Sequence, residues 1–366
     1  MFIPVAQPDI GEEELDAVIK TVKSGWISSI GENILEFESK YASYCGLKYG
    51  VATSSGTTAL HLCLASSGIG PGDEIIVPSL TFVATANAVM YTGAKPVFVD
   101  SELQTWNIDP QQIESKINKN TKAIIPVHLY GHPAKMDQIL SIARKYNLAV
   151  YEDVAEAHGA KYRNNRVGSL GNAGCFSFFG NKIITTGEGG MVVTNNKKFA
   201  EKMKTLRDHG TSKRRRYYYP WLGFNYRMTN IQAAIGLAQL EKIDKIIAKK
   251  KWIAGTYEKY LKPIVQKIEL SPHESWADSV FWMYSILVTS TGKISRDNLM
   301  FKLKEVGIDS RPFFYPIHRY KRFDCHENFK ITEYLASAGI NLPSSPSLDE
   351  SQIRFICENI IRILDE

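Results

Sequence analysis

No stretch of this chain approaches the apolar length that crosses a bilayer. Its opening, Met1-Phe-Ile-Pro-Val-Ala-Gln-Pro8, lacks the basic region followed by an apolar segment that marks a secretory leader. A cytoplasmic protein with no membrane partner is therefore expected. Cysteine is sparse: Cys45, Cys63, Cys175, Cys325 and Cys357 are odd in number, scattered, and without the paired spacing of a zinc or redox motif, so reduced thiols are expected. Internal repeats and low-complexity tracts are missing. Net charge is a mild +6, and much of it is one run, Lys213-Arg214-Arg215-Arg216, placed just before Tyr217-Tyr218-Tyr219. Basic residues beside aromatics suit nucleic acid, but one short run in a long chain more often forms a solvated loop or clamps small phosphates. No nucleic-acid partner is expected. At 366 residues, 44% hydrophobic and 22% charged, the chain has an ordinary globular composition and is too long for one core, so two domains are expected.

What is present is an alternation of short β-prone runs with helical periodicity. Leu15, Val18, Ile19 and Val22 recur at helical spacing over Glu12–Ser24, with acids in the first turn and Gly25 as the stop. A second helix is predicted over 33–44. A strand then begins at Tyr49 and runs through Ser55-Gly56-Thr57 into a helix ending near Gly68. Strands follow at 74–77, 96–100, 122–127 and 148–152, with helices over 81–91 and 134–147. This order implies an α/β fold with a mostly parallel central sheet sandwiched by helices. In such sheets ligands gather at the carboxyl ends of the strands. The pattern over 229–261 predicts one long helix bridging two units, with a boundary near Ile243: a large α/β domain, 1–243, and a smaller C-terminal α+β domain, 244–366. The latter carries a strand over 281–288, a helix over 295–306 and a final helix, ahead of which Ser347 and Glu350 have capping-box spacing.

Three places carry chemistry. Lys182 ends the apolar run Phe176-Ser-Phe-Phe-Gly-Asn and opens a glycine-rich turn before Met191-Val-Val-Thr194. An ammonium partly desolvated beside a sheet has a lowered pKa, which frees its amine to form a Schiff base; the alternative is a solvated loop lysine. At Ser55-Gly56-Thr57, backbone N–H groups at a helix start suit a phosphate, and Ser55 and Thr58 add hydroxyls; the alternative is an ordinary N-cap. Asp153 closes a strand within Glu152-Asp-Val-Ala-Glu156-Ala-His158. It is placed either to cap a helix or to hold the nitrogen of a pyridine ring, with His158 as an orienting neighbour. His128 and His132 invite a metal, but Gly131 and Pro133 disfavour a helix there and no third ligand is evident, so no metal site is expected.

Taken together these segments resemble the DegT-type sugar aminotransferases, fold-type-I enzymes of pyridoxal 5'-phosphate (PLP) that act on nucleotide-linked keto sugars. The resemblance is carried by Ser-Gly-Thr-Thr-Ala-Leu at Ser55, Pro-Ser-Leu-Thr-Phe-Val-Ala-Thr at Pro78, Pro-Val-His-Leu-Tyr-Gly-His-Pro at Pro126, Glu-Asp-Val-Ala-Glu-Ala-His-Gly at Glu152, Phe-Ser-Phe-Phe-Gly-Asn-Lys at Phe176 and Gly-Phe-Asn-Tyr-Arg-Met-Thr at Gly223. It implies that Lys182 holds PLP through a Schiff base and then acts as the acid and base of the proton shift. It further implies that Asp153 pairs with the ring nitrogen, Phe82 lies against the ring, and the amides of Gly56 and Thr57 with the Ser177 hydroxyl bind the phosphate. Asn225 would reach the cofactor phosphate of a neighbouring copy, which implies a homodimer with shared sites.

Two details narrow the resemblance. Relatives with histidine at the position of Lys182 act as dehydratases, so lysine favours transamination. Many relatives have glutamine at the position of Glu156, near the cofactor's phenolic oxygen. Glutamate there, with Gly-Asn-Lys-Ile-Ile-Thr-Thr-Gly-Glu-Gly-Gly and Leu-Tyr-Gly-His-Pro, resembles the GDP-perosamine synthase branch, which moves the amino group of L-glutamate to C4 of GDP-4-keto-6-deoxy-D-mannose. The rival is a C4 or C3 aminotransferase of a UDP- or dTDP-linked keto sugar. Arg214 to Arg216, Arg227 and Arg311 are all candidates for the nucleotide diphosphate, and Arg311-Pro-Phe-Phe-Tyr-Pro-Ile-His318 resembles the family's C-terminal contribution to the sugar and nucleotide site.

Overall fold

Short runs rich in Val and Ile pair into one seven-stranded sheet, ordered Tyr49–Thr53, Gly190–Thr194, Ala173–Ser177, Ala149–Asp153, Thr121–Ile124, Glu74–Pro78 and Lys95–Val99. The computed structural model describes residues 2–212, 214–289, 294–323 and 325–366. Gly190–Thr194 runs antiparallel to both its neighbours, and the remaining pairs are parallel. Because successive side chains in a strand point to opposite faces, Ile76 enters one core while Ile75 and Val77 enter another. Both cores are covered by helices, so each such aliphatic contributes about 1.5–3 kcal/mol by leaving water. The expected sandwich is what forms.

Several elements differ from their sequence signals. The helix predicted from Thr81 begins only at Ala84, which leaves Phe82 on the turn beyond the strand Glu74–Pro78. The long helix expected over 229–261 is two, Asn230–Glu241 and Ile243–Leu261. Lys242 between them has φ −107° and ψ 6°, and its ammonium lies 2.9 Å from the buried Glu14 carboxylate, so a polar contact holds the corner. Glu14 belongs to the helix Glu12–Ser24, which is folded polar side inward. Glu14 and Thr21 are its buried residues, whereas Leu15, Ile19 and Val22 are exposed.

The C-terminal part builds a second, four-stranded antiparallel sheet, ordered Ile268–Glu269, Tyr284–Val288, Gly339–Leu342 and Arg311–Pro312, over its own core. The final helix, Glu350–Asp365, is capped by Asp349 and Gln352 rather than by Ser347 and Glu350. The same reciprocal pattern occurs two residues later, where Asp349 Oδ1 accepts from the Gln352 N–H at 2.8 Å. The chain start joins this core too: Ile3 donates to the Gly307 carbonyl at 2.8 Å. Among the described residues no helix is long and apolar enough to cross a membrane.

Candidate active site

The site lies where the strand Ala149–Asp153 ends and the loop between Ala173–Ser177 and Gly190–Thr194 turns back. Asp153 is buried at the strand's carboxyl end. Its Oδ2 accepts from the Thr85 hydroxyl at 2.8 Å and its Oδ1 from the Ala155 N–H at 3.1 Å. Burial pushes its pKa up, and these two donors with the Lys182 ammonium pull against that rise. Glu156, on the turn that follows, accepts from the Tyr130 N–H at 2.8 Å. Burial raises it to about 7 in spite of the Lys182 ammonium, whose Nζ is 3.8 Å from Oε1. Burial in turn lowers the Lys182 pKa, with Glu156 and Asp153 opposing. The desolvated lysine expected from the glycine-rich turn is present.

A cavity of about 540 Å³ joins these groups to the phosphate cradle. Ser55 Oγ accepts from the Thr58 N–H at 3.2 Å, and the Thr58 hydroxyl bonds back to the Ser55 N–H at 2.9 Å. Both hydroxyls are thus committed to capping. The first-turn N–H groups of Gly56 and Thr57 have no carbonyl within the helix to bond, so the capped helix and the anion cradle are the same object. A Cβ at Gly56 would stand 2.6 Å from Ser177 Cβ, so glycine is what lets Ser177 approach the cradle. Asn181 Oδ1, also lining the cavity, is buried with no partner. Open amides and a serine at one end, a carboxylate at the other and a desolvated amine between them fit a phosphorylated pyridine aldehyde.

The second sheet closes the cavity. Trp282 and Phe314 from the C-terminal part flank Tyr130, at 6.3 Å and 5.4 Å between ring centroids, and the Phe314 N–H donates to the Tyr130 hydroxyl at 3.1 Å. Phe82 is 54% exposed and faces Phe314 across 5.8 Å, with its ring open to the cavity mouth. Arg311 lines the cavity, alone among the candidate diphosphate arginines. Arg214, Arg215 and Arg216 are exposed outside it, Arg215 and Arg216 resting on Tyr218 and Tyr217, and Lys213 lies outside the described residues. Arg227 is engaged by Asp208 at 2.5 Å.

Other sequence candidates fall elsewhere. His158 does not orient Asp153; its ring bonds the Tyr41 hydroxyl at 2.6 Å and the Ser177 carbonyl at 2.8 Å, so it steadies the cradle serine. Thr85 is the orienter of Asp153, and no local signal separates it from the other threonines of its segment. His128 is spent on Glu152 and the Ala134 N–H. Asn225 is exposed, away from this chain's cavity, where it accepts from Arg227 Nε at 3.1 Å. Sequence reasoning missed Trp282, although Lys182 Nζ sits 3.8 Å from its ring centroid. A larger groove of about 830 Å³ lies between Glu12–Ser24, Glu32–Tyr44 and Asn230–Glu241, but it gathers no comparable set of reactive groups.

Comparison with known proteins agrees with this geometry. Residues 8–361 match the model of the DegT/DnrJ/EryC1/StrS aminotransferase family. The chain is 48% identical to GDP-perosamine synthase of Caulobacter vibrioides, covering 100% of this chain and 98% of that protein. It is 46% identical to the protein of that name from Escherichia coli O157:H7, with 98% of each covered. Among solved structures it resembles Helicobacter pylori PseC, an aminotransferase involved in the biosynthesis of pseudoaminic acid, at a TM-score of 0.94 and 29% identity, with 100% of each chain covered. The PLP form of the putative sugar aminotransferase Spr1654 from Streptococcus pneumoniae superposes at a TM-score of 0.95 with 26% identity, over 100% of this chain and 99% of that one.

Proposed function

This chain belongs to the DegT/DnrJ/EryC1/StrS aminotransferase family, whose cofactor is PLP, and on that premise we propose that it moves the amino group of L-glutamate to C4 of GDP-4-keto-6-deoxy-D-mannose, giving GDP-perosamine. The observation that carries transamination is the buried Lys182 amine in one cavity with Asp153, Glu156 and the open amides of Gly56 and Thr57. Identities of 48% and 46% to two GDP-perosamine synthases over nearly the whole chain support the substrate.

When bound, PLP supplies an aldehyde for imine exchange and a ring that stores an electron pair. The chain's own residues do the rest. Lys182 would hold the aldehyde end and would move the α-proton at Nζ; its lowered pKa favours the basic form that this task needs. Asp153, held by Thr85 and Ala155, offers a carboxylate to the ring nitrogen. Glu156, lifted by burial to about 7, would serve the phenolic oxygen as a proton donor near neutrality. Gly56, Thr57 and Ser177 would hold the phosphate, Phe82 would cover the ring face, and Arg311 would meet the nucleotide diphosphate.

A homodimer with shared sites is part of the proposal. The outward apolar face of Leu15, Ile19 and Val22, beside the exposed Trp26, Ile30 and Leu35, supports a second copy as its cover. Exposed Asn225, its Oδ1 held by Arg227, would then serve that copy's phosphate. Steady-state kinetics with L-glutamate and GDP-, UDP- or dTDP-linked 4-keto sugars test the substrate. Turnover of the GDP sugar is expected to dominate, and turnover of only the other two would sink the assignment.

A further inference from the structure

Trp282 has no part in the reading above, yet it is the side chain against which the reactive amine rests. It is 4% exposed. Lys182 Nζ stands 3.8 Å from its ring centroid, within the range at which an aromatic face attracts a cation. The nearest carboxylate oxygen, Glu156 Oε1, is also 3.8 Å away, too long for a hydrogen bond, so among the described residues no acceptor fixes the amine in place of the ring.

Trp282 is restrained at three points, two on its ring and one on its backbone. Its Nε1–H donates to the Asn181 carbonyl, immediately before Lys182, at 2.6 Å. Its own carbonyl accepts from Lys250 Nζ at 2.9 Å, and Lys250 also donates to the Ser344 carbonyl at 2.6 Å. One face of the indole is near-parallel to Tyr130, at an interplanar angle of 18°. Lys250, buried and without an acid partner among the described residues, is thus committed to the backbone of one tryptophan and to the neighbouring strand end.

We propose that Trp282 is a positioning residue for Lys182: whenever the amine is not joined to cofactor, the indole face holds it in the cavity, while the Asn181 carbonyl holds the indole and Lys250 holds the tryptophan's backbone. The inference rests on Lys182 being the reactive amine of the proposed function. It explains why a tryptophan just ahead of the strand Tyr284–Val288 bonds the backbone beside that lysine. The charged groups facing the amine are Asp153 and Glu156, at and after the end of Ala149–Asp153, and Arg311 from the second sheet. The acids draw the amine, and the ring fixes where it rests.

The test is made on cofactor-free protein by limited acetylation at a series of pH values, with modification of Lys182 followed by peptide mass spectrometry. The midpoint of the profile reports the amine's proton affinity, and its plateau reports access. Removing an aromatic face from a desolvated ammonium lowers the midpoint. In Trp282→Leu, rates normalised to the plateau should therefore rise about twofold to thirtyfold at pH values below both midpoints. Trp282→Phe, which keeps a smaller face, should move less in the same direction. A merely structural tryptophan predicts the opposite sign, since a looser, wetter pocket favours the ammonium. An unchanged or raised midpoint overturns the proposal, and if the leucine variant does not fold, the phenylalanine variant decides by the same criterion. Reduction of PLP-loaded wild type with borohydride, followed by peptide mapping, separates the two levels. Cofactor on another lysine would undo the functional reading, whereas cofactor on Lys182 with an unmoved midpoint would undo only the role of Trp282.

Discussion

Replacing Glu156 by glutamine should make the cofactor-free protein more stable, and only at neutral to alkaline pH. Burial lifts this carboxyl from its ordinary 4.5 to about 7. A tenfold change in proton affinity corresponds to about 1.4 kcal/mol, so ionising Glu156 in the fold costs ~3 kcal/mol more than ionising it in the unfolded chain. The attraction of Lys182 is already inside that figure, because it lowers Glu156 while burial raises it. The sign follows from proton counts. Below pH 4.5 both states hold the proton and the cost is absent. Between 4.5 and about 7 the native state holds it and the unfolded chain does not, so wild-type stability declines as pH rises through this window, then levels off. Glutamine has no such window, and its amide oxygen can still accept the Tyr130 N–H. Urea unfolding of both proteins at equal concentration should therefore give a difference under ~1 kcal/mol at pH 5 and ~3 kcal/mol in favour of Glu156→Gln at pH 8.5. Contributions of other titrating groups largely cancel between the two chains. A difference that does not change with pH would refute the reasoning, as would a variant that weakens as pH rises.

Gly56→Ala forces a Cβ to within 2.6 Å of Ser177 Cβ, and overpacking of about 1–3 kcal/mol at the cradle should raise the PLP dissociation constant roughly fivefold to a hundredfold, measurable by titration of the cofactor's visible absorbance. Thr85→Val removes the hydroxyl that donates to Asp153 Oδ2 at 2.8 Å. With a charged-group hydrogen bond worth about 1.5–3 kcal/mol, the acid limb of the kcat/KM profile should move up by about one to two pH units. Lys182→Ala should reduce transamination by a factor of about a hundred or more and abolish the yellow colour that bleaches with L-glutamate, read by stopped-flow spectroscopy.

How much of this was legible in the sequence depended on whether the cause was local. Lys182 and Asp153 stand out as candidates because a glycine-rich turn after an apolar run, and an acid at a strand end, are local patterns, although the family resemblance was needed to choose a reactive role over a loop lysine and a helix cap. Gly56 does so as well, since a strand running into a capped helix is written in consecutive residues. Trp282 and Thr85 leave no such trace. Their partners lie 101 and 68 residues away, respectively, and nothing in the chain near them marks the meeting. The helix Glu12–Ser24 shows a subtler limit. Its periodicity was correctly helical, but periodicity cannot say which face meets this chain. Here Gln239 and Lys242 claim the polar side through Glu14. The bend at Lys242 has the same origin, a tertiary contact that interrupts an apolar repeat continuous across it.

The glutamate at position 156 also changes how the lysine works. In water a lysine amine holds a proton about a millionfold more tightly than a glutamate carboxylate, their ordinary pKa values being 10.5 and 4.5. Inside the cavity the same cause, burial, moves the two in opposite directions, lifting Glu156 to about 7 and lowering Lys182. Burial alone would leave both groups neutral, and their 3.8 Å separation partly restores the ion pair. A proton can then rest on either group at a cost far below that in water. A glutamine in this place would still supply a hydrogen bond to the cofactor, but it could not take up or release a proton. In the proposed transamination the carboxyl would therefore offer a proton-exchanging neighbour to the lysine amine as well as to the phenolic oxygen, and that exchange would follow the pH window in which Glu156 titrates.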